Sequence, residues 1–363
     1  MISPHFWEEL AMNHGILRFI SSAVLTALSL LIFSGCNNHA QPTTEQKYNG
    51  YLSFTTTEES PMTDFYLAEG IVHKIDLKSK EVSEVFQYHH TAMYPLGVYD
   101  EQTNCVYYSK ELSDISSAKE GLNDQIFVHD FTTNTDTMLT DDLIAVNDMI
   151  PVDEKTVFFL GARKDGLLAL GKVNPKTKEV QYWKEPAPLT TRAICVDRAQ
   201  KRVYAAVFDD DAEYTSLRTN GPAPSYTLCS YDYDLSDRRE ILRVENKEIY
   251  GVCSMNGKVF YTTLEWEHEN PVFSNQLIDV DTGEVLWESA QHFSRGRCFS
   301  EDGKGIYCFL DSENETDEKS GAQASGIYYF DFETQEYTPV FTKEGVNWPL
   351  QPKFQLMPSG VKQ

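Results

Sequence analysis

Seven residues of mixed chemistry stand at the edges of apolar segments and could together bind or transform a small molecule. They are His90, Tyr94, Asp148, Arg192, His292, Arg295 and Trp348. A set that mixes imidazole, guanidinium, carboxylate and aromatic groups could hold a small anionic or sugar-like ligand. Its histidines and arginines could instead serve a lyase or hydrolase. Two histidines from separate segments do not define a metal site, so we predict none.

Acidic residues are concentrated in three further segments. The candidate binding residues among them are Asp209, Asp210, Asp211, Glu267 and Glu315. Such segments could recruit a basic partner, or they could form a solvated rim that keeps the protein soluble. Carboxylates alternate over residues 311–317 as they do in some calcium loops, but the central glycine and the closing glutamate are missing. The sequence therefore leaves calcium binding undecided, and we assign no metal ligand.

The common catalytic motifs are missing from the sequence. It has no nucleophile elbow, no HExxH motif, no P-loop and no Rossmann glycine pattern. It contains seven cysteines but no CxxC motif, so neither a redox motif nor a zinc knuckle is indicated. We therefore predict no catalytic residue and no cofactor.

A repeated pattern of short strands and turns organises the chain after Lys47. An apolar strand ends in Asp or Asn, a turn follows, and another strand begins. The six anchor residues are Asp76, Asp130, Asn174, Asp234, Asp279 and Asp331, which lie 54, 44, 60, 45 and 52 residues apart. A period near 50 residues with several short strands per unit is typical of β-propeller blades.

A second repeated segment predicts the inner hairpin of each blade. Residues 298–307 align without gaps on residues 195–204 and 98–107. Residues 299–307 closely resemble the repeat of TolB-like and WD-like six-bladed propellers. This resemblance implies the fold but says little about function, because such propellers include binding proteins, peptidase accessory domains and lyases.

The repeats predict an all-β fold of six four-stranded antiparallel blades. The five complete blades are expected at residues 93–140, 143–183, 190–244, 248–289 and 293–342. The remaining blade is split, because residues 48–86 lack an inner strand and residues 346–356 supply a spare one. Joining the N- and C-terminal strands in one blade would close the ring and remove free sheet edges.

Propeller geometry predicts that the candidate residues share one face. In a blade, the connection into the first strand and the loop between the second and third strands lie at the same end. The seven mixed residues belong to the former and the acidic segments to the latter. We therefore expect a polar channel mouth beside an acidic rim, with ordinary polar lining of a water-filled channel as the alternative.

The N-terminal residues have the pattern of an export signal. Residues 16–33 are largely apolar, and Ser34, Gly35 and Cys36 follow at once. An apolar run, small residues and then Cys resemble a bacterial lipoprotein signal, although Phe33 replaces the usual Leu. The resemblance implies lipidation of Cys36 and attachment to a membrane of the bacterial cell envelope, outside the cytoplasm. A plain transmembrane anchor is the alternative.

Composition and charge complete the prediction. We expect a signal peptide at residues 1–35, a polar tether at 36–47 and the propeller at 48–363. The formal net charge is -24, so phosphate would repel the chain and we predict no nucleic-acid partner. The leading prediction is a monomeric, lipid-anchored propeller that binds an unknown protein or small molecule without catalysis. The alternatives are a propeller-type lyase or hydrolase and a structural module of an envelope complex.

Overall fold

The computed structural model confirms a six-bladed β-propeller in which every blade is a four-stranded antiparallel sheet. It describes residues 50–59, 68–90, 95–112, 124–164, 166–219, 221–267, 270–291, 293, 296–311, 324–343, 345–349 and 352–359. The apolar run at 16–33 and Cys36 lie outside these residues. No helix in the described part of the chain is long and apolar enough to cross a membrane.

Each blade runs from an innermost strand beside the channel to an outermost strand at the periphery. Blade 1 contains, in that order, β24 (Phe354–Pro358), β1 (Gly50–Glu59), β2 (Ala68–Asp76) and β3 (Val82–His90). Blade 2 contains β4 (Gly97–Asp100), β5 (Cys105–Glu111), β6 (Asp124–Asp130) and β7 (Thr135–Met138). Blade 3 contains β8 (Ala145–Asp153), β9 (Thr156–Ala162), β10 (Leu168–Val173) and β11 (Val180–Tyr182).

The remaining blades follow in chain order. Blade 4 contains β12 (Leu189–Asp197), β13 (Arg202–Asp209), β14 (Tyr226–Asp232) and β15 (Arg239–Val244), with the helix α1 (Asp210–Thr219) between β13 and β14. Blade 5 contains β16 (Glu248–Met255), β17 (Lys258–Glu267), β18 (Asn270–Asp279) and β19 (Val285–Ser289). Blade 6 contains β20 (Arg297–Phe299), β21 (Gly305–Leu310), β22 (Gly326–Asp331) and β23 (Tyr337–Thr342).

The termini close the ring, as the count of strands predicts. Strand β24 pairs antiparallel with β1, from Gly50 opposite Pro358 to Phe54 opposite Phe354. The predicted closing segment, 346–356, begins too early, because the strand itself starts at Phe354. Pro349 and Pro352 lie ahead of it and have no N–H group to donate to a strand ladder.

Apolar clusters between neighbouring blades form the core. Strand β13 shows why, because both of its faces are buried. Tyr204 and Phe208 pack towards blade 5, and Val203 and Val207 pack towards blade 3. Successive side chains of a strand point to opposite faces, so a strand between two blades is apolar on both.

The six anchor residues of the repeat fix the turn between the third and fourth strands. The Asp76 carboxylate accepts hydrogen bonds from the backbone N–H groups of Lys78 and Ser79, at 3.0 and 2.7 Å. The other anchors make the same kind of contact at Asp130, Asn174, Asp234, Asp279 and Asp331. A short polar side chain that bonds the backbone two residues ahead stabilises a tight turn.

The buried cysteines pack as small apolar side chains and form no disulfide within the described region. They are Cys195, Cys229, Cys253 and Cys308. Burial raises the pKa of Cys195 and Cys253 and, to about 11, the pKa of Cys229. A thiol that stays protonated is a poor nucleophile, which fits a packing role.

Candidate functional site

The candidate site lies where the first strand of each blade begins and the second strand ends; this end is called the mouth face. Arg192, near the start of β12, reaches Glu213 of the helix that follows β13. The connection into the first strand and the segment after the second strand therefore meet at this end. The tip of the β17–β18 hairpin lies at the corresponding end of blade 5.

Three successive inner strands carry an irregularity at the same place near the mouth face. The register shifts between Val146 and Asp148 in β8, between Thr191 and Ala193 in β12, and between Ile249 and Gly251 in β16. The extra residues are Asn147, Arg192 and Tyr250. A bulge re-aims the extra side chain out of the regular alternation. The backbone thus sets these three side chains apart from the blade core.

Arg192 is held by two carboxylates from different blades. Its Nη2 lies 2.7 Å from Glu213 Oε1, and its Nε lies 2.7 Å from Glu248 Oε1. The Tyr226 hydroxyl donates to Glu213 Oε1 at 3.0 Å. The guanidinium carbon also lies 5.4 Å from the centre of the Phe208 ring. We call this group the Arg192 clamp.

Burial and charge act against each other in the Arg192 clamp. Burial alone would lower the pKa of Arg192, but Glu248, Tyr226 and Glu213 outweigh it and raise that pKa. Burial also raises the pKa of Glu213, in spite of the nearby Arg192. The guanidinium therefore stays charged and is already paired. The clamp joins α1 to blades 4 and 5 and leaves Arg192 poorly placed to receive an anionic ligand.

Helix α1 is well capped although none of its side chains is buried. The Asp209 carboxylate accepts a hydrogen bond from the backbone N–H of Ala212 at 2.9 Å, which makes Asp209 the N-cap. Acidic residues occupy the first turn and Arg218 the last, as the helix dipole favours. The Ser216 hydroxyl bonds to the carbonyl groups of Gly221 and Pro222 beyond the C-terminus, at 2.9 and 2.6 Å.

One side of α1 presents a stripe of three side chains. Asp210, Tyr214 and Leu217 are spaced i, i+4 and i+7, which places them along one side of a helix. Tyr214 and Leu217 are each 59% exposed, more than any other large hydrophobic residue in the described part of the chain. Burial, together with Asp211 and Asp209, raises the pKa of Asp210. The stripe thus combines negative charge with uncovered apolar surface.

Asp148 forms an ion pair with a residue near the inner strand of another blade. Lys353 Nζ, just ahead of β24, lies 2.7 Å from Asp148 Oδ2. The Gln355 side-chain amide donates to the carbonyl oxygen of Met149. These contacts join the inner strands of blades 1 and 3. The charge of Asp148 is therefore compensated by Lys353, and the pair has a structural role. Sequence reasoning did not single out Lys353, since nothing local distinguishes it from the other lysines.

Trp348 packs between two blades. Its ring centre lies 5.0 Å from that of Phe309 and 5.7 Å from that of Phe54. Phe341 makes a third contact, at 5.9 Å between ring centres. The indole therefore fills the junction of blades 6 and 1.

The structure places the other predicted site residues only in part. The side chains of His90, Tyr94, His292, Arg295, Glu267 and Glu315 lie outside the described residues. Their convergence with Arg192 and Asp148 stays a prediction. Of the acidic candidates, Asp209 caps α1, whereas the carboxylates of Asp210 and Asp211 have no bonding partner among the described residues. Within those residues no three His, Cys, Asp or Glu side chains form a metal-binding group.

A carboxylate pair near the mouth face was not predicted from the sequence. Asp124, the buried first residue of β6, stands opposite Glu111, the last residue of β5. Burial, with a contribution from Glu111, raises the pKa of Asp124 to about 7. The two residues are well separated in the chain and belong to segments without an acidic run, so only the strand register reveals the pair.

Comparison with known proteins identifies the fold. No protein-family model matches the sequence, and no curated protein matches it. Among solved structures, TolB from Acinetobacter baumannii is 11% identical with a TM-score of 0.53, and the match covers 84% of this chain and 66% of that one. A chain of a nidogen/laminin complex is 13% identical with a TM-score of 0.52, covering 86% of this chain and 100% of that one.

A third solved structure also matches the chain. The β-propeller domain of the Trilobed protease from Pyrococcus furiosus is 12% identical with a TM-score of 0.51, over 81% of this chain and 82% of that one. The chain is a six-bladed β-propeller with TolB among its structural neighbours. Similarity at this level of identity shows the fold alone. The Trilobed protease propeller is described as having an open velcro topology, whereas here β24 and β1 share a blade.

Proposed function

We propose that this propeller is a lipid-anchored, extracytoplasmic binding protein that recruits a basic protein partner at its mouth face. Helix α1 carries the proposal, because it is held by Asp209 and Glu213 while most of its side chains are exposed. It displays Asp211, Tyr214 and Leu217 to solvent beside the Arg192 clamp, and Asp210 is half-buried. Because the helix adds little to the propeller core, we infer that its role is to contact a partner.

The free energy needed to keep α1 ordered supports a role in binding. A helix of ten residues is marginal in water, and most helices in proteins are stabilised by burying an apolar face. Helix α1 instead depends on its N-cap Asp209 and on the ion pair between Glu213 and Arg192. An element held in one orientation before association loses less conformational entropy on binding.

Charge indicates the kind of partner. The chain has a formal net charge of -24, and Asp210 and Asp211 add unpaired carboxylates at the helix. A negative patch steers a positive partner and speeds its association. The exposed Tyr214 ring and Leu217 side chain supply apolar area that the partner could cover.

The described part of blade 1 begins away from α1. The described chain enters blade 1 at Gly50, and the Gly50 carbonyl accepts a hydrogen bond from Leu77 N in the turn after β2. That turn belongs to the end of the blade opposite to the mouth face. Gly50, the first described residue, therefore lies at the face that does not carry the helix.

Replacement of Cys36 by Ala tests the anchor. We expect Cys36→Ala to move the protein from the membrane fraction into the soluble export fraction. Each buried CH₂ of an acyl chain contributes about 0.8 kcal/mol, so two chains would hold the protein firmly on a membrane. Ser34→Ala serves as the control and should stay with the membrane. A Cys36→Ala protein as membrane-bound as the wild type would contradict the lipid assignment.

Charge neutralisation at α1 tests the partner. We expect a basic envelope protein to be retained by the immobilised wild type at low salt and much less by Asp210→Asn/Asp211→Asn. Exposed charges are screened beyond about 8 Å at physiological ionic strength, so retention should also fall as salt rises. Asp209 and Glu213 are left intact because one caps the helix and the other binds Arg192.

A matched variant separates this surface from overall charge. Glu333 and Glu336 are exposed and lie in the turn between β22 and β23, at the end opposite to the mouth face. Glu333→Gln/Glu336→Gln removes the same charge and should retain the partner fully. Equal losses in the two double variants would show that net charge, rather than α1, governs the interaction.

A further inference from the structure

A second candidate site lies far from α1, in a cleft between blades 1 and 6. The cleft has a volume of ≈ 520 Å³. It is lined by Thr56, Thr57, Glu58, Ile71, His73, Val82, Glu84, Phe341, Lys343, Gly345, Val346 and Asn347. Pockets that bind small molecules have volumes of about 300–1,000 Å³, so the cleft is large enough for one.

The rim of the cleft carries one positive side chain, Lys343, and two negative ones, Glu84 and Glu58 of β1. Lys343 follows β23 of blade 6, and Glu84 lies on β3 of blade 1. Both side chains are exposed, and neither forms an ion pair with the other or with another described residue. Ile71, Phe341 and Val346 add apolar surface to the lining. The cleft therefore combines an ammonium group and carboxylates with apolar surface.

The cleft contains one of the two buried histidines of the described residues, the other being His129 between blades 1 and 2. His73 is 7% exposed, and its Nε2 lies 2.7 Å from the Thr56 hydroxyl. Its Nδ1 has no hydrogen-bond partner among the described residues. A buried nitrogen without a hydrogen-bond partner destabilises the folded state. Packing alone therefore does not favour a histidine at this position.

Comparison of the blades shows that the position of His73 varies and that only blade 1 has a histidine there. His73 lies three residues before the anchor Asp76. The equivalent positions in blades 2, 4 and 6 hold Phe127, Tyr231 and Tyr328, and those in blades 3 and 5 hold Gly171 and Gln276.

We propose that this cleft binds a small zwitterion with the chemistry of an α-amino acid, either a free amino acid or a short peptide. The ligand carboxylate pairs with Lys343, and the ligand ammonium group pairs with Glu84. Its apolar side chain lies against Ile71, Phe341 and Val346. The cleft lies at the junction of blades 1 and 6, whereas α1 belongs to blade 4, so the proposal does not depend on the protein partner proposed there.

Calorimetric titration of the full-length protein in detergent micelles tests the proposal with defined probes. The probes are L-leucine and the dipeptide Ala-Leu, which distinguish a free amino acid from a peptide. Two matched analogues each lack one charge: 4-methylpentanoate has no ammonium group, and 3-methylbutylamine has no carboxylate. We expect one zwitterion to bind with a Kd of about 1 mM or better, and both analogues to bind about tenfold more weakly.

Variants of Lys343 and Glu84 assign the charges. Lys343→Gln should weaken zwitterion binding about threefold to tenfold and leave 3-methylbutylamine unaffected, since that probe has no carboxylate. Glu84→Gln should weaken the zwitterion and leave 4-methylpentanoate unaffected. Both residues are exposed, so both variants should fold. Lys304→Gln and Glu284→Gln, exposed and outside the cleft, are the controls and should bind as the wild type does.

The NMR signals of the His73 imidazole show whether the ligand binds in the cleft. Burial lowers the pKa of His73 to about 4, so the ring is neutral at pH 7 and its NMR signals are distinct from those of exposed histidines. A bound zwitterion should shift the His73 signals in proportion to the calorimetric saturation. No binding of either zwitterion at about 10 mM, equal binding of a one-charge analogue, or binding without a His73 shift would each overturn the proposal.

Discussion

A chain that lacks residues 346–363 is expected to be unfolded at temperatures at which the wild type is stable. The truncation removes β24, whose ladder with β1 runs from Gly50 to Phe54. It removes the buried side chains of Phe354 and Met357 and leaves Asp148 without Lys353. Together these losses should reach several kcal/mol, against a total stability of about 5–15 kcal/mol for a domain.

Thermal unfolding monitored by circular dichroism checks this expectation, with sedimentation to follow association. Removal of residues 359–363 alone is the control, since it leaves β24 intact and should melt as the wild type does. Phe354→Ala should give an intermediate loss of about 3–5 kcal/mol. A truncated chain that remained monomeric and melted at the wild-type temperature would show that β24 does not close the ring.

The substitution Arg192→Met is expected to destabilise the protein by about 3 kcal/mol at neutral pH. Breaking a largely buried ion pair by removing one partner leaves the other charge uncompensated. Here two carboxylates remain, from Glu213 and Glu248, which are 20% and 14% exposed. Helix α1 would also lose its clamp to blades 4 and 5. Denaturant unfolding of variant and wild type gives the difference.

The pH dependence of that difference identifies its cause. Burial already raises the pKa of Glu213, and loss of Arg192 should raise it further. A carboxyl whose pKa is higher in the folded state destabilises the fold at high pH, and the penalty disappears as pH falls below its unfolded pKa. The loss from Arg192→Met should therefore be larger at pH 8 than at pH 4.

An exposed ion pair supplies the control for the Arg192 clamp. Arg243 and Glu245 are 53% and 64% exposed and lie 2.7 Å apart. Arg243→Met should cost less than about 1 kcal/mol at either pH, because solvent screens such a pair. A loss from Arg192→Met that did not change with pH would mean that packing, rather than uncompensated charge, accounts for the effect.

The fold could be predicted from the sequence because its determinants are local. Each anchor, such as Asp76 or Asp279, both ends a strand and bonds the backbone of the turn that follows. The same local signal recurs in every blade, so its period gives the architecture directly. The boundaries of β24 were harder to predict. The segment suits a strand in general, but Pro349 and Pro352 move the start of the strand towards the C-terminus.

The candidate site was harder to predict because its contacts join distant residues. The sequence places Asp209, Asp210 and Asp211 in one acidic run, but only the structure separates the N-cap from the two unpaired carboxylates. Likewise Arg192 was expected to face a ligand and is instead held by Glu213 and a residue of the next blade. Such roles depend on which side chains a ring of blades brings together, and no local pattern encodes that.

The most direct test of the proposed binding role is the rate constant of partner association, measured for the wild type and Asp210→Asn/Asp211→Asn at low and high salt. If the mouth face recruits a basic partner, the variant should associate several-fold more slowly at low salt and dissociate at nearly the wild-type rate. The two association rates should converge as salt rises, because screening removes the steering that the carboxylates provide. Association rates that are equal for both proteins and flat with salt would contradict the account.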